Sequence, residues 1–351
     1  MILEKPRQFA PEAVHDKLME EYVPRLHFNP GCDLKAWRTE LKETLINLLG
    51  SQPELVDPAI EIEYEHIGPE FIDRRFLFRT EKNSDVPAHL LLPRNGETPF
   101  PVVICLQGHS SGMHLSLGRT KYDRDAAAIA GGRDFGLQAV RNGYAALVIE
   151  QRAFGERKDS RPELYRDRDW FKSYCHHAGM SALLVGRTLI GERVWDISRA
   201  VDILETIGDV DAGRIAILGH SGGGTAAWYA LCLDSRIGHA LLSCSICNFR
   251  DSIGSIDHCC CNYVPGILTF MDMSDMAALI APRPLIISNG KTDRIFPIRS
   301  VEKTAEEIGR IYDAFGAGEQ FKILIGEGGH NFYSELNWPV FNKMFKLPGD
   351  K

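Results

Sequence analysis

Ile215-Ala-Ile-Leu-Gly-His-Ser-Gly-Gly-Gly-Thr225 decides how this chain is read. An apolar run stops at Gly219, Ser221 follows, and three glycines lead into the helix-like, alanine-rich Thr225–Cys232. Gly219-His220-Ser221-Gly222-Gly223 fits G-x-S-x-G, the nucleophile elbow, in which a strand turns sharply into a helix. Such a turn leaves almost no room for side chains two residues before and two after the serine, which accounts for Gly219 and Gly223. It also lifts the hydroxyl above the sheet and aims the N–H groups of the next helix at the same spot. Ser221 is therefore the candidate nucleophile; the bland alternative is an ordinary glycine turn.

The surrounding 351 residues are 44% hydrophobic and 25% charged, the composition of a soluble globular protein. A net charge of −7 without any basic cluster argues against nucleic acid as a partner. No apolar run reaches membrane-spanning length, and Met1-Ile-Leu-Glu-Lys-Pro-Arg7 lacks the apolar core of a signal peptide. The expected address is the cytoplasm, unless an export signal has been removed. Nine cysteines occur, three of them consecutive at 259–261. They show neither the paired C-x2-C motifs of a zinc site nor the density of a disulfide scaffold, so reduced, mostly buried thiols are expected. A metal cluster of His258 with the cysteine run, and a local disulfide within 259–261, are the alternatives.

Residues 11–50 read as helical. Leu34, Trp37, Leu41, Leu45 and Leu48 recur at helical spacing, with Asp33 as N-cap and Gly50 as stop. Strand-like runs follow at Ile60–Ile67, Phe71–Arg79, Ala88–Leu92 and Pro101–Leu106, separated by turn-forming pieces. Strands then alternate with helices: Ala145–Glu150, a helix at Gly191–Ile207, the elbow strand, Ala240–Ser245, Pro284–Ser288 and Phe321–Ile325, with helices at 299–315 and 335–346. This order predicts an α/β fold, a mostly parallel central sheet with helices on both faces. The expected organisation is a helical N-terminal arm over 1–58 and one catalytic unit over 59–351. The stretch 248–272 is an insertion after a strand, suited to a lid or pocket wall.

Ligands of such sheets sit beyond the carboxyl ends of the strands. Gln107-Gly-His-Ser-Ser-Gly112 lies at one such end, and its glycines let backbone N–H groups turn toward the elbow. A tetrahedral intermediate needs two donors, and the main-chain N–H groups of His109 and Gly222 are the candidates for this oxyanion hole. Asp293 follows the Pro284–Ser288 strand, and His330 follows Phe321–Ile325. A serine hydroxyl needs a base to take its proton, and that imidazole needs a carboxylate to fix its tautomer. The order Ser221, Asp293, His330 is the one expected for this sheet type. Asp272 and Asp275 are fallback acids.

In Leu106-Gln-Gly-His-Ser-Ser-Gly112, Asp211-Ala-Gly-Arg-Ile-Ala-Ile-Leu-Gly-His-Ser-Gly-Gly-Gly224, Asn289-Gly-Lys-Thr-Asp293 and Gly328-Gly-His-Asn-Phe332 the chain resembles the α/β-hydrolases, specifically their dienelactone-hydrolase-like and acetyl-xylan-esterase-like branch. Ala281-Pro-Arg-Pro-Leu-Ile286 and the Cys259–Gly266 stretch are similar to segments of that branch. The resemblance runs from about residue 60 to the end and implies structural roles for Asp211 and Arg214. It also implies a departure: dienelactone hydrolases proper use a cysteine nucleophile, whereas Ser221 stands here, which favours ester hydrolysis over the lactone reaction.

The expected function is a serine carboxylesterase hydrolysing small acyl esters, with acetylated carbohydrate as the substrate suggested by resemblance and with no metal or organic cofactor. Arg152, Glu156, Trp170 and Tyr263 are candidate substrate contacts. A salt bridge bracing loops competes for Arg152 and Glu156, and ordinary loop packing competes for the aromatic Trp170–His177 stretch. A serine peptidase of related fold and a non-catalytic binding protein are the alternative functions. Beyond a small-molecule ester, neither nucleic acid nor membrane is an expected partner, and the oligomeric state stays open.

Overall fold

Asp33 accepts the N–H groups of Lys35 and Ala36 at 2.9 and 3.1 Å, capping the helix α2 (Leu34–Leu49) where the sequence predicts. The computed structural model describes residues 9–158 and 170–345, with side chains described from 174 onward in the second stretch. Before α2 comes the short α1 (Glu12–Glu21). Trp37, Leu41, Leu45 and Leu49 of α2 are buried against the main core.

One nine-stranded sheet follows: β1 (Glu61–Ile67), β2 (Phe71–Glu81), β3 (Ser84–Pro93), β4 (Phe100–Leu106), β5 (Ala145–Ile149), β6 (Val210–His220), β7 (Ile237–Ser243), β8 (Leu285–Gly290) and β9 (Phe321–Gly326). Its spatial order is β1-β2-β3-β5-β4-β6-β7-β8-β9. The first three pairings are antiparallel, and every pairing from β5 to β9 is parallel. Alternation along β4 shows why both faces need cover. Val102, Ile104 and Leu106 enter one core with α2, α6 (Leu189–Leu204), α7 (Gly222–Leu233) and α9 (Ile298–Ala314). Val103 and Cys105 enter the other with α4 (Phe135–Arg141) and α10 (Ser334–Met344). The short α3 (Asp125–Ala128) and α8 (Met273–Met276) lie in connecting segments.

Apart from the short α3 and α8, two helices depart from the sequence reading. The aromatic stretch near 170 opens a helix, α5 (Trp170–Leu184), where a loop was expected, and α4 was not expected at all. Neither carries a clean polar face: α5 leaves Met180, Leu183 and Leu184 exposed while burying Cys175 and Ala182, so helical spacing is blurred. No helix among the described residues is long and apolar enough to cross a membrane.

Candidate active site

Ser221 sits between β6 and α7 at φ 54° and ψ −128°, a conformation that L-residues rarely adopt. Its N–H donates to Ser243 O at 2.8 Å, tying the elbow to the end of β7. A Cβ at Gly219 would lie 2.7 Å from Gly224 Cα, and one at Gly223 would run into the carbonyl oxygens of Leu106 and Gln107. Both positions admit only glycine. Farther back on β6, Asp211 and Arg214 form an ion pair at 2.6 Å.

The loop after β4 is pressed against the elbow. A Cβ at Gly108 would lie 2.8 Å from Ser221 Cβ, and one at Gly222 would lie 2.8 Å from Cε1 of the His109 ring. Among the described residues the N–H groups of His109 and Gly222 donate no hydrogen bond, so both remain unspent beside Ser221. Buried polar groups that the sequence did not single out hold this loop. Gln151 Nε2 donates to Gln107 O at 2.5 Å, and Gln107 Nε2 donates to Ser116 Oγ and Arg133 O, both at 2.6 Å. Glu150 accepts the N–H of Met113 at 3.1 and 3.2 Å and that of Glu156 at 3.2 Å. Burial pushes the Glu150 carboxyl up to about 7. Its position at a strand end was the available signal.

Asp293 and His330 arrive from the loops after β8 and β9 and meet, Nδ1 to Oδ2, at 2.8 Å. The other carboxylate oxygen accepts Ile295 N–H at 2.8 Å and Phe296 N–H at 3.2 Å. Burial opposes the charge on Asp293, but the His330 contact and these two N–H groups outweigh it and hold the carboxyl below its ordinary value. The His330 ring stacks on Phe296 with centroids 6.0 Å apart and lies 4.9 Å from the ring of His220, the residue before Ser221. No hydrogen bond joins the Ser221 hydroxyl to His330 among the described residues; in ligand-free sites such bonds are commonly long and tighten around substrate. His220 is fully buried and pushed well below the ordinary imidazole value by burial, with Arg133 and His330 adding to the shift. It is therefore a neutral packing group beside the site.

Asp272 caps α8, and Asp275 accepts Phe28 N–H at 2.9 Å and contacts His27 at 3.1 Å, so both fallback acids are otherwise engaged. Arg152 is enclosed by carboxylates: it meets Asp196 at 2.8 and 2.9 Å, Glu81 at 2.7 Å and Glu192 at 3.3 Å. Glu156 receives both Arg75 guanidinium arms at 3.0 and 2.8 Å. These contacts have the geometry of loop bracing. Trp170 begins α5, and its side chain lies outside the described residues. Tyr263 is half exposed and donates to Ile253 O at 2.8 Å. The 248–272 segment borders both site loops through His258, whose ring is 6.5 Å from that of His109 and 6.2 Å from Phe296. All nine cysteines are free thiols.

An imidazole oriented by a buried carboxylate, a strained serine on the neighbouring loop and two unspent N–H groups form the equipment of nucleophilic acyl transfer. The chain is similar to several known hydrolases. The model of the Abhydrolase family matches residues 5–183. The chain is 26% identical over 303 residues to "Putative hydrolase YtaP" of Bacillus subtilis (strain 168), covering 84% of this chain and 94% of that protein. It is 28% identical over 170 residues to "Carbohydrate esterase MZ0003" from an unknown prokaryotic organism, covering 43% of this chain and 36% of that protein. Among solved structures, a putative acetyl xylan esterase from Bacteroides fragilis superposes with a TM-score of 0.76 at 16% identity, over 99% of this chain and 92% of that one. A glucuronoyl esterase from Solibacter usitatus gives 0.67 at 18% identity, over 92% and 97%. At these identities the structural likeness establishes the α/β-hydrolase fold.

Proposed function

Because the chain belongs to the Abhydrolase family, we propose that it is a serine hydrolase of carboxylic esters, acting through Ser221, His330 and Asp293 on small acyl groups and on acetylated carbohydrate in particular. The observation that carries this reading is the 2.8 Å contact between His330 and Asp293 on the loops beside the strained Ser221.

In the proposed reaction His330 Nε2 takes the Ser221 proton as Oγ attacks the ester carbonyl. The N–H groups of His109 and Gly222 receive the developing oxyanion, and Asp293 stabilises the imidazolium. Collapse of the tetrahedral intermediate expels the alcohol, which takes its proton from His330. Water then repeats the sequence on the acyl-enzyme, returning Ser221 and a carboxylic acid. The unit over 59–351 supplies each of these groups. The names of the acetyl xylan esterase and the "Carbohydrate esterase" to which the chain is similar support the choice of an acetylated sugar.

A panel of acetyl, butyryl, feruloyl and glucuronoyl esters, with aminoacyl anilides alongside and Ser221→Ala as control, tests the reading. Fastest turnover is expected on acetyl esters, abolished in the variant. Cleavage of anilides without ester turnover would instead assign a peptidase, and inertness toward the whole panel a binding protein.

A further inference from the structure

Arg193 on α6 is 1% exposed, with its guanidinium 4.3 Å from the centre of the Phe154 ring. It donates to Arg152 O at 2.8 and 3.2 Å and to Cys175 Sγ at 3.3 Å, and no carboxylate pairs with it among the described residues. A buried guanidinium without a counter-charge is costly, so the sulfur side of this contact calls for negative charge.

Three segments remote in sequence bring donors to that place. The Nε2 of His109 and the Sγ atoms of Cys175, Cys259 and Cys261 all lie within 4.8 Å of one another. His109 Nε2 and Cys259 Sγ are each 3.2 Å from Cys261 Sγ. A tetrahedral zinc ion, with bonds of about 2.3 Å to sulfur and about 2.1 Å to nitrogen, sets its ligands roughly 3.5–3.8 Å apart, inside this range. Residues 260–262 form a helical turn that points Cys260 away, toward Cys175 O at 2.9 Å, while Cys259 and Cys261 face His109. Asn262 Nδ2 donates to Cys261 Sγ at 3.4 Å and Arg193 to Cys175 Sγ, the outer hydrogen bonds that thiolate ligands accept.

We propose that His109, Cys175, Cys259 and Cys261 hold a divalent ion of the zinc class, which fastens the loop after β4, α5 and the 248–272 segment to one another. Binding exchanges three thiol protons for the dication and leaves three thiolates, one neutral imidazole and a net charge of −1. Arg193 cancels that charge. A Cys259–Cys261 disulfide would be neutral and would leave Arg193 uncompensated. The packing around these cysteines is a small satellite cluster with Ala153, Phe154 and Leu189, separate from the two main cores, where a metal cross-link replaces missing apolar burial. The proposed site departs from the sequence reading, which expects reduced, buried thiols and no metal and names His258, where the proposal has His109, only in its alternative cluster. The inference is independent of the ester chemistry, since its readout is metal.

The full chain, purified under reducing conditions and then exposed to zinc and desalted, is expected to retain about one equivalent of zinc. Cys261→Ser is expected to lose it and Cys232→Ser, a buried cysteine elsewhere, to keep it. Cobalt loading of the unaltered chain is expected to give tetrahedral d–d bands and a thiolate charge-transfer band, a readout that needs no variant to fold. Failure of the wild-type chain to retain zinc, an octahedral cobalt spectrum, retention by Cys261→Ser, or a Cys259–Cys261 disulfide in the purified protein would each overturn the proposal.

Discussion

His330 Nδ1 and Asp293 Oδ2 lie 2.8 Å apart although 37 residues separate them in sequence. The contact is held from both sides. Thr292 N–H donates to Gly328 O at 2.9 Å and Lys291 N–H to Gly326 O at 2.8 Å, so main-chain hydrogen bonds tie the two loops together. Asp293→Asn keeps this shape and removes the charge. It is expected to lower kcat/KM on an acetyl ester by about 10³–10⁴. The folded carboxyl lies below its unfolded value, so its contribution to stability is present above the unfolded pKa and lost as pH falls through the folded one. The variant's unfolding midpoint should accordingly vary less than the wild type's below about pH 4. Equal acid slopes would contradict this.

Glu150 has the opposite sign. Its folded value near 7 lies above its unfolded value, so the fold binds the extra proton and stability declines as pH rises from about 4.5 through 7. Glu150→Gln, which mimics the protonated acid, should remove that decline. Urea midpoints at pH 5 and pH 8 are expected to show the wild type losing about 2–3 kcal/mol relative to the variant. Parallel pH dependence of the two proteins would count against the buried-carboxyl account.

Gly223 has no room for a methyl group, because the carbonyls of Leu106 and Gln107 occupy it. Gly223→Ala should cost about 1–3 kcal/mol and displace Ser221, so kcat should fall even where the variant is folded. Circular dichroism with ester turnover checks both. A folded, fully active variant would refute the elbow geometry.

Arg152 distinguishes bracing from substrate binding. Its removal leaves Asp196, buried with a carboxyl held at about 2, with Arg157 at 2.6 Å as the one remaining guanidinium of the two that pair with it. Arg152→Met is expected to lower stability by about 3–5 kcal/mol. Its KM for small esters should stay within about twofold, since each guanidinium nitrogen is already engaged by a carboxylate. A large rise in KM without destabilisation would restore the substrate-contact reading.

The parallel strands were legible because each contains an apolar run ended by turn residues, and Asp293 and His330 because each follows such a run directly. The glycines flanking Ser221 announced themselves through the space a sharp turn denies. The α5 helix was not legible, since Met180, Leu183 and Leu184 stay exposed while Cys175 is buried, leaving no clean stripe to detect. The partners of Cys259 and Cys261 were hidden for another reason: His109 and Cys175 lie 152 and 86 residues from Cys261, and only the fold brings them together. Glu150 shows a third limit. Its strand-end position marks it as a candidate, but its enclosure depends on Met113, 37 residues away, which no local pattern near residue 150 encodes.

Intact-protein and peptide mass measurement after treatment with a fluorophosphonate tests the nucleophile assignment most directly. One phosphonyl adduct is expected, mapping to Ser221, absent from Ser221→Ala and accompanied by complete loss of acetyl-ester hydrolysis. An unlabelled Ser221 in folded protein, with ester turnover surviving in Ser221→Ala, would contradict the account.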